Sequence, residues 1–167
     1  VMVPTHFVRL LALPGDVKAK YDVSSMKLLA HTGAKCPVEV KAAMIEWFGP
    51  VFRDAYGATE VGTVCTITSE EWLEHQGSVG RSVPPFTAVV LDEEMNEVDP
   101  GIEGRLFFRD ATGRGIIYPN DPEQTAVSNP EPGLFTLGEI GYMDADGFVF
   151  ITDSFSDMVV SGGVNIY

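Results

Sequence analysis

The sequence is poor in cysteine, and its two cysteines form no recognisable site. Among 167 residues only Cys36 and Cys65 are cysteines, with no Cys-x-x-Cys spacing and no cluster with the three histidines. The sequence therefore indicates neither a disulfide framework nor a zinc site. We expect a reducing, cytoplasmic setting.

Positive charge is also scarce. Eleven Lys and Arg residues stand against 24 Asp and Glu residues, which gives a formal net charge of −13. A surface of this sign repels polyanions, so nucleic acid is not an expected partner. The same charge disfavours any phosphate-bearing small molecule. A phosphate site would have to rely on backbone N–H groups, hydroxyls and a metal ion.

Long apolar runs are missing as well. No stretch is long enough to cross a bilayer, and no basic segment leads into an apolar one near the N-terminus. We expect no transmembrane segment and no secretory signal. With 45% hydrophobic and 21% charged residues, the composition is that of a folding globular chain.

The first part of the chain predicts an α/β arrangement. Residues 37–48 are predicted to form a helix, because Pro37 suits its start, Val38, Ala42 and Ile45 have helical spacing, and Gly49-Pro50 supplies a stop. Three β-rich runs surround this helix, at residues 27–30, 51–55 and 63–68. Strand, helix and strand in this order indicate α/β over residues 1–77.

After residue 77 the pattern changes to short β-rich runs separated by Pro, Gly, Asp and Asn. These runs are residues 87–91, 105–109 and 148–152. We predict a mostly β subdomain over residues 78–153, similar to a small barrel.

One pentapeptide combines groups that can hold a nucleotide. Tyr56-Gly57-Ala58-Thr59-Glu60 offers an aromatic ring, a flexible glycine, a hydroxyl and a carboxylate. The ring can stack on a base, the hydroxyl can donate to a phosphate oxygen and the carboxylate can bind Mg²⁺. A plain turn at the end of a strand is the alternative interpretation.

Two later segments are glycine-rich. Gly138-Glu139-Ile140-Gly141 precedes Asp144-Ala145-Asp146-Gly147, which predicts a hairpin turn rather than a calcium loop because the required bidentate Glu is absent. Gly162-Gly163 follows an apolar run. The two glycines allow either close backbone approach to a ligand or an ordinary loop.

Taken in order, these segments resemble the AMP-forming acyl-CoA synthetases of the adenylate-forming superfamily. The resemblance runs essentially end to end through HTGAKCPVEVKAAMIEWFG, YGATE, VGRSVPP, GEIGYMDADGFVFITD and SGGVNIY. It implies a ligase that activates a carboxylic acid, such as a fatty acid, with ATP and Mg²⁺ to an acyl-adenylate, and then passes the acyl group to CoA. The implied fold is part of the large domain, an α/β sheet segment followed by a small distorted β-barrel, with residues 154–167 as a hinge.

The resemblance also implies roles for individual residues. Tyr56 would stack on adenine, Asp54 would lie near its amino group, Thr59 would contact the α-phosphate and Glu60 would bind Mg²⁺, so that Thr59 and Glu60 are the catalytic pair. The remaining implied site residues are Gly33 and Ala34 in a loop against adenine, Ala55 and Gly57 beside Tyr56, and Val61, Gly62 and Thr63 along the acyl pocket.

Four positions depart from the family's pattern. Glu139 stands where the family has a ribose-binding Asp, and Ser154 stands where it has an Arg. Ser154 has neither the charge nor the forked donors of that Arg. Ser156 occupies the hinge position, usually Asp or Lys, and Lys35 stands where related synthetases often have Pro.

The resemblance implies further elements outside these residues: a phosphate loop before Val1 and a lid with a catalytic Lys after Tyr167. We therefore expect no ligase activity from the isolated chain, and apolar surface that other domains normally cover could support a homodimer. Two alternatives stay open. One is a non-catalytic relative that serves as an interaction or structural module, and the other is an unrelated nucleotide-binding or structural domain.

Overall fold

The computed structural model describes residues 1–154, 159–161 and 164–166. The chain divides into two compact units. The first unit contains residues 1–55, 67–77 and the described part of 158–167, and the second contains residues 56–66 and the described part of 78–157. The predicted division at residues 77 and 153 remains a proposal.

The chain forms five helices and eleven strands within its described residues. The helices are α1 (Pro4–Leu11), α2 (Gly15–Lys18), α3 (Val38–Phe48), α4 (Ser69–Glu74) and α5 (Pro122–Ser128). The strands are β1 (Leu29–His31), β2 (Phe52–Ala58), β3 (Gly62–Thr68), β4 (Arg81–Ser82), β5 (Phe86–Leu91), β6 (Gly104–Asp110), β7 (Leu134–Phe135), β8 (Glu139–Met143), β9 (Val149–Ser154), β10 (Val159–Ser161) and β11 (Val164–Ile166).

In the first unit, β1, α3 and β2 form a strand–helix–strand segment. β1 and β2 pair in parallel, with Leu29 opposite Phe52 and His31 opposite Asp54. The helix predicted over residues 37–48 is confirmed, with Pro37 at its N-cap. A parallel pair brings the carboxyl ends of both strands to one edge, where ligands of α/β proteins commonly bind.

The buried face of α3 differs from the predicted one. Lys41, Met44 and Ile45 are buried, whereas Val38 is 38% exposed. The spacing of Lys41, Met44 and Ile45 is helical, so the periodicity holds while the face is rotated. A lysine can occupy this face because it forms an ion pair with Asp54 on β2.

The apolar core of the first unit centres on two fully or nearly buried phenylalanines. The rings of Phe7 and Phe52 meet edge to face at 5.6 Å. Ser69 at the start of α4 fixes the backbone of β2, since its Oγ accepts a hydrogen bond from the Phe52 N–H at 2.9 Å and donates to the Phe52 carbonyl at 3.2 Å. These contacts hold the strand that carries Asp54.

A mixed sheet has the order β1-β2-β3-β4, in which β2 and β3 are the arms of a hairpin. β3 pairs antiparallel with β4, with Cys65 opposite Ser82. Cys65 is fully buried, and burial raises the pKa of its thiol to about 12. It is therefore an inert core thiol.

The second unit contains an antiparallel sheet of order β5-β6-β8-β9, with β7 added on β6. Its core includes Leu106, Phe108 and Phe135, which are 0% exposed. The β-rich character of this part is confirmed, and its closure into a barrel stays a prediction. The hairpin turn predicted at residues 144–147 is confirmed between β8 and β9, where Asp144 Oδ1 accepts from the Asp146 and Phe148 N–H groups.

Of the helices in the described residues, none is long and apolar enough to cross a membrane.

Candidate functional site

The predicted nucleotide motif forms a tight β-hairpin over residues 56–63. Tyr56 to Ala58 end β2, Thr59 and Glu60 form the turn, and β3 begins at Gly62. A Cβ at Gly57 would lie 1.9 Å from the carbonyl oxygen of Gly62. Only glycine allows the two arms to approach this closely. The close approach of the two arms therefore explains why position 57 is a glycine.

Thr59 and Glu60 are exposed at the tip of the hairpin. Within the part of the chain that the structure describes, the Glu60 carboxylate has no ion pair or hydrogen bond. Mg²⁺ keeps several waters and is usually held by one or two carboxylates together with substrate phosphates. The Glu60 carboxylate, with no partner among the described residues and next to the Thr59 hydroxyl, fits this requirement.

Tyr56 is more enclosed than a free stacking platform would be. Its ring lies 6.2 Å from the ring of Phe108 in the core of the second unit. Its hydroxyl is buried and has no hydrogen-bond partner among the described residues. Burial, with smaller contributions from Glu139 and Cys65, raises the pKa of this hydroxyl well above its usual value. Stacking of the ring on adenine stays a prediction.

Glu139 and Ser154 lie opposite each other at the ends of β8 and β9. The β-ladder thus brings together the two positions that depart from the family's ribose-binding pattern. Glu139 is half-buried, and this burial raises the pKa of its carboxyl group to about 7. Near neutral pH a large share of Glu139 is protonated, and the group can then donate as well as accept a hydrogen bond.

Asp54 lies in a polar cluster of the first unit that we name the Lys41–Asp54–His31 cluster. Asp54 Oδ1 accepts a hydrogen bond from Lys41 Nζ, and Asp54 Oδ2 lies 2.9 Å from His31 Nδ1. The geometry at His31 is that of a close polar contact rather than an aligned hydrogen bond, since neither ring nitrogen has a hydrogen-bond partner among the described residues. The Asp54 side chain is 14% exposed and that of Lys41 is 1% exposed.

Ala55 follows Asp54 on β2 and is half-buried. Gly33 and Ala34 lie in the loop between β1 and α3. Gly33 has a φ of +87°, and a Cβ there would lie 3.1 Å from the Val3 side chain. The N-terminal segment runs beside β1, where the Met2 N–H donates to the Ala30 carbonyl and the Thr32 N–H donates to the Met2 carbonyl. The loop conformation therefore requires glycine for both φ and space.

The structure places the sequence-predicted residues in recognisable local groups. The 56–63 hairpin contains Tyr56, Gly57, Thr59, Glu60, Val61, Gly62 and Thr63. Glu139 lies near Tyr56 within the second unit. Ser156 and Gly162-Gly163 fall outside the described residues, as do all side chains from residue 154 onwards.

Lys41 is the site residue that the sequence analysis missed. Its only sequence signal is its place three residues before Met44 and four before Ile45, within the apolar stripe of α3. Burial lowers the pKa of Lys41, and the neighbouring Asp54 opposes this effect. A charged residue in an apolar stripe indicates a buried partner, which here lies on the next strand.

A cavity of about 410 Å³ lies elsewhere in the second unit, against β5, β6 and residues 97–100. Arg109 and Glu97, whose Nη2 and Oε1 are 3.0 Å apart, lie on its wall. None of the predicted nucleotide-binding residues lines it.

Comparison with curated proteins identifies similar CoA ligases. The chain is 34% identical over 98% of its length to a long-chain-fatty-acid–CoA ligase of Bacillus subtilis, and 31% identical over 86% of its length to a 2-succinylbenzoate–CoA ligase of Bacillus mycoides. In each case it covers 29% of the relative's length. The chain thus spans less than a third of these curated relatives.

The fold is similar to that of solved adenylate-forming enzymes. The chain superimposes on the amide bond synthetase McbA of Marinactinospora thermotolerans with a TM-score of 0.86 and 26% identity, covering 99% of this chain and 33% of that one. The sequence model described as AMP-binding enzyme matches residues 1–115. Since this match covers more than half of the 167 residues, the chain belongs to the AMP-binding enzyme family.

Proposed function

We propose that the protein containing this chain is an AMP-forming acid–CoA ligase, and that the chain supplies part of its adenylate site. Family membership and the similarity to CoA ligases support this proposal. The observation that carries it is the 56–63 hairpin, whose glycine-dependent approach leaves Thr59 and Glu60 exposed side by side at the tip.

The chemistry suits these residue types. Adenylyl transfer depends on positioning the phosphate and on neutralising the charge that develops on its oxygens. The Thr59 hydroxyl can donate to an α-phosphate oxygen, and Glu60 would hold Mg²⁺, which supplies positive charge when bound. Val61 to Thr63 follow the tip directly and are proposed to line the acyl pocket. A bound cation also reverses the local field that the net charge of −13 would impose.

The second unit offers Glu139 as the acceptor for ribose hydroxyls, in the role that Asp has in the family. The half-burial of Glu139 and its position opposite Ser154 support this assignment. The substrate is proposed to be a small-molecule carboxylic acid. A fatty acid is the finer proposal, and it rests on the relative named as a long-chain-fatty-acid ligase.

We expect no acyl-CoA formation by the 167-residue chain alone, because no stretch of it resembles the family's phosphate loop or the lid segment with the catalytic Lys. An assay with ATP, CoA and fatty acids tests this, and turnover above background would contradict it. Self-association also stays a proposal, and measurement of the native size would decide it.

The binding test uses AMP and a non-hydrolysable acyl-adenylate mimic in titration calorimetry with Mg²⁺. These ligands lack the β- and γ-phosphates, so their affinity depends on contacts with the residues proposed here. Wild type should bind both ligands, and Tyr56→Ala and Thr59→Val should weaken both. Glu60→Ala should remove the part of the affinity that depends on Mg²⁺. Glu74→Ala, which removes an exposed carboxylate from α4, is the matched control.

Two results would contradict the proposal. One is a folded wild-type chain that binds neither ligand at millimolar concentration. The other is a Glu60→Ala variant whose response to Mg²⁺ equals that of Glu74→Ala.

A non-catalytic relative is the second candidate. The observations that favour it are the enclosed Tyr56 hydroxyl and the serine at position 154, opposite Glu139. For this candidate we expect a folded protein that binds neither AMP nor the mimic, even in its full-length form.

A further inference from the structure

Glu139 places a carboxyl group on the apolar face of the sheet in the second unit. Side chains alternate between the two faces of a strand, so Glu139 shares a face of β8 with Gly141 and Met143. Met143 packs against the apolar core that contains Leu106 and Phe108. Among the described residues, no ion pair or hydrogen bond involves the Glu139 side chain. An ionised carboxylate is unfavourable on such a face.

The basic side chains of β6 lie on the other face of the sheet. Arg105 is directly opposite Ile140, and directly opposed residues share a face. Arg105 and Arg109, four residues apart on one strand, therefore lie on the face of Ile140 and not on that of Glu139. Asp110 does share the face of Glu139, but it lies at the opposite end of β6 from this pairing.

The two remaining strands that pack against β8 bring no cation to Glu139 either. On β9, Asp153 lies opposite Ile140 and so shares the face of that residue. β5 has the sequence FTAVVL and contains no ionisable residue. Among the described side chains, the sheet therefore provides no positive charge that could stabilise the ionised form of Glu139.

The 56–63 hairpin packs on the same apolar face. Tyr56 and Val61 contact the core cluster to which Met143 also belongs. The charge of Glu139 contributes to the raised pKa of the Tyr56 hydroxyl, so the two groups lie close together. This hydroxyl is buried and has no hydrogen-bond partner among the described residues. The hairpin thus encloses the space beside Glu139.

The ionisable groups of the hairpin arms cannot compensate a charge on Glu139. Burial raises the pKa of the Tyr56 hydroxyl well above its usual value and that of the Cys65 thiol to about 12, so both are neutral near pH 7. Glu60 is exposed at the tip and has the same sign as ionised Glu139.

The hairpin depends on this side-chain packing for its position. The pairing of β2 with β1 ends at Asp54, and the pairing of β3 with β4 begins at Cys65. Between these limits the two arms pair with each other. A two-stranded hairpin is only marginally stable without further packing. Its release from the core is therefore the movement that admits water to Glu139 most easily, because β8 is paired with strands on both sides.

We propose that Glu139 is a pH-dependent switch for the 56–63 hairpin: the protonated carboxyl group allows the hairpin to pack on the core, and ionisation favours its release. A neutral carboxyl group and the Tyr56 hydroxyl can share the enclosed space, whereas a carboxylate requires water. The switch would control the placement of Thr59 and Glu60, which the hairpin carries at its tip. The inference concerns the position of the hairpin and does not depend on the proposed adenylate function.

The direction of the switch follows from the two protonation equilibria. Burial raises the pKa of Glu139 from 4.5 to about 7 in the packed state, and release to water returns it to the lower value. The packed hairpin therefore holds the proton more tightly. Packing is strongest below pH 4.5 and is weakened as the pH rises through 7. Linkage gives an increase in the released fraction of up to about tenfold per pH unit between these values, which levels off above them.

The test is amide hydrogen exchange of the wild-type chain, resolved by residue and followed from pH 5 to pH 8. Protection factors, which are corrected for the intrinsic effect of pH on exchange, report the free energy of each opening reaction. We expect residues 56–63 to be less protected than the core strand β6 at every pH, because the hairpin opens without global unfolding. Their protection should fall on the order of tenfold or more between pH 5 and pH 7.

Two glutamine variants test whether Glu139 is the titrating group. Glu139→Gln keeps the size of the side chain and removes its titration, so the protection of the hairpin should no longer fall with pH. Glu131→Gln, at an exposed position, should behave as wild type. If Glu139→Gln does not fold, the comparison of the hairpin with β6 within the wild-type chain still decides the question.

Three results would overturn the inference. One is equal protection of residues 56–63 and β6, which would mean that the hairpin opens only when the whole unit unfolds. Another is a hairpin that is less protected than β6 but equally so at pH 5 and pH 7. The third is a folded Glu139→Gln variant that keeps the wild-type dependence on pH.

Discussion

Asp54 in the first unit and Glu139 in the second are both partly buried carboxylates, and the family resemblance implies a role in nucleotide binding for each. They differ in whether a positively charged side chain lies beside them. Asp54 has a buried lysine against one oxygen. Glu139 has no cation beside it among the described residues, and burial raises its pKa to about 7. One carboxylate is paired with a buried lysine, and the other gains stability by taking up a proton.

One sequence position bears on this difference. The ladder between β8 and β9 places the backbone of residue 154 directly opposite that of Glu139. The family resemblance implies an Arg at this position, but the chain has Ser154. We expect a cation at this position to favour the ionised form of Glu139.

The largest effect should follow from breaking the Lys41–Asp54–His31 cluster. Lys41→Met leaves the Asp54 carboxylate half-buried without its cation, and we expect it to lower the free energy of unfolding by about 3–5 kcal/mol. The double variant Lys41→Met/Asp54→Leu should recover most of this loss, since replacing both members of a buried pair is often neutral. Urea unfolding measures both variants, and an equal loss in the single and double variants would contradict the pairing.

Glu139 should produce the next largest effect, as a dependence of stability on pH. The folded-state pKa is raised from 4.5 to about 7, so the folded protein binds more protons than the unfolded chain between these values. Stability from this group is fully present below pH 4.5 and is lost as the pH rises through 7. We expect a loss on the order of 2 kcal/mol between pH 5 and pH 8, allowing for partial exposure.

The control for this prediction is a pair of neutral substitutions. Glu139→Gln should flatten the fall in stability between pH 5 and pH 8, whereas Glu131→Gln, at an exposed position, should leave it unchanged. Identical pH profiles for wild type and Glu139→Gln would contradict a raised pKa of Glu139 in the folded protein.

A cation placed opposite Glu139 should give this carboxylate a counter-ion, as Lys41 does for Asp54. Ser154→Arg should favour the ionised form of Glu139 and reduce the loss of stability between pH 5 and pH 8 by about 1 kcal/mol. Ser154→Gln, a long side chain without charge, is the matched control. A change of equal size in both variants would assign the effect to side-chain length rather than to charge.

Tyr56 should give the smallest effect, and one of opposite sign. Its buried hydroxyl has no hydrogen-bond partner among the described residues, so Tyr56→Phe removes a desolvated polar group. We expect stability to be unchanged or to increase by up to about 1 kcal/mol. Thermal unfolding measures this, and a clear loss of stability would reveal a partner for the hydroxyl.

Local patterns were sufficient to predict the elements that local chemistry determines. Helix α3 has a proline start, a Gly-Pro stop and helical periodicity, and the 56–63 hairpin lies between two β-rich runs. The short helices α1, α2, α4 and α5 were not predicted, because helices of four to eight residues depend on tertiary contacts. For α4 a signal was present, since Thr68 and Glu71 form a capping box.

The electrostatics of the site could not be predicted in the same way. Lys41 is expected at a surface by its residue type, and it is buried only because Asp54 lies on the neighbouring strand, 13 residues later in the chain. The raised pKa of Glu139 comes from burial of its carboxyl group in the folded chain. Both features arise from contacts made only in the folded chain, which periodicity does not specify.

The most direct test of the proposed adenylate site is a crystal structure of the chain with a non-hydrolysable acyl-adenylate mimic. We predict that the adenosine lies against Tyr56, that the group replacing the α-phosphate lies within hydrogen-bond distance of the Thr59 hydroxyl, and that a ribose hydroxyl contacts Glu139. A ligand bound only in the cavity against β5 and β6, or a folded chain with no ligand bound at saturating concentration, would contradict the account.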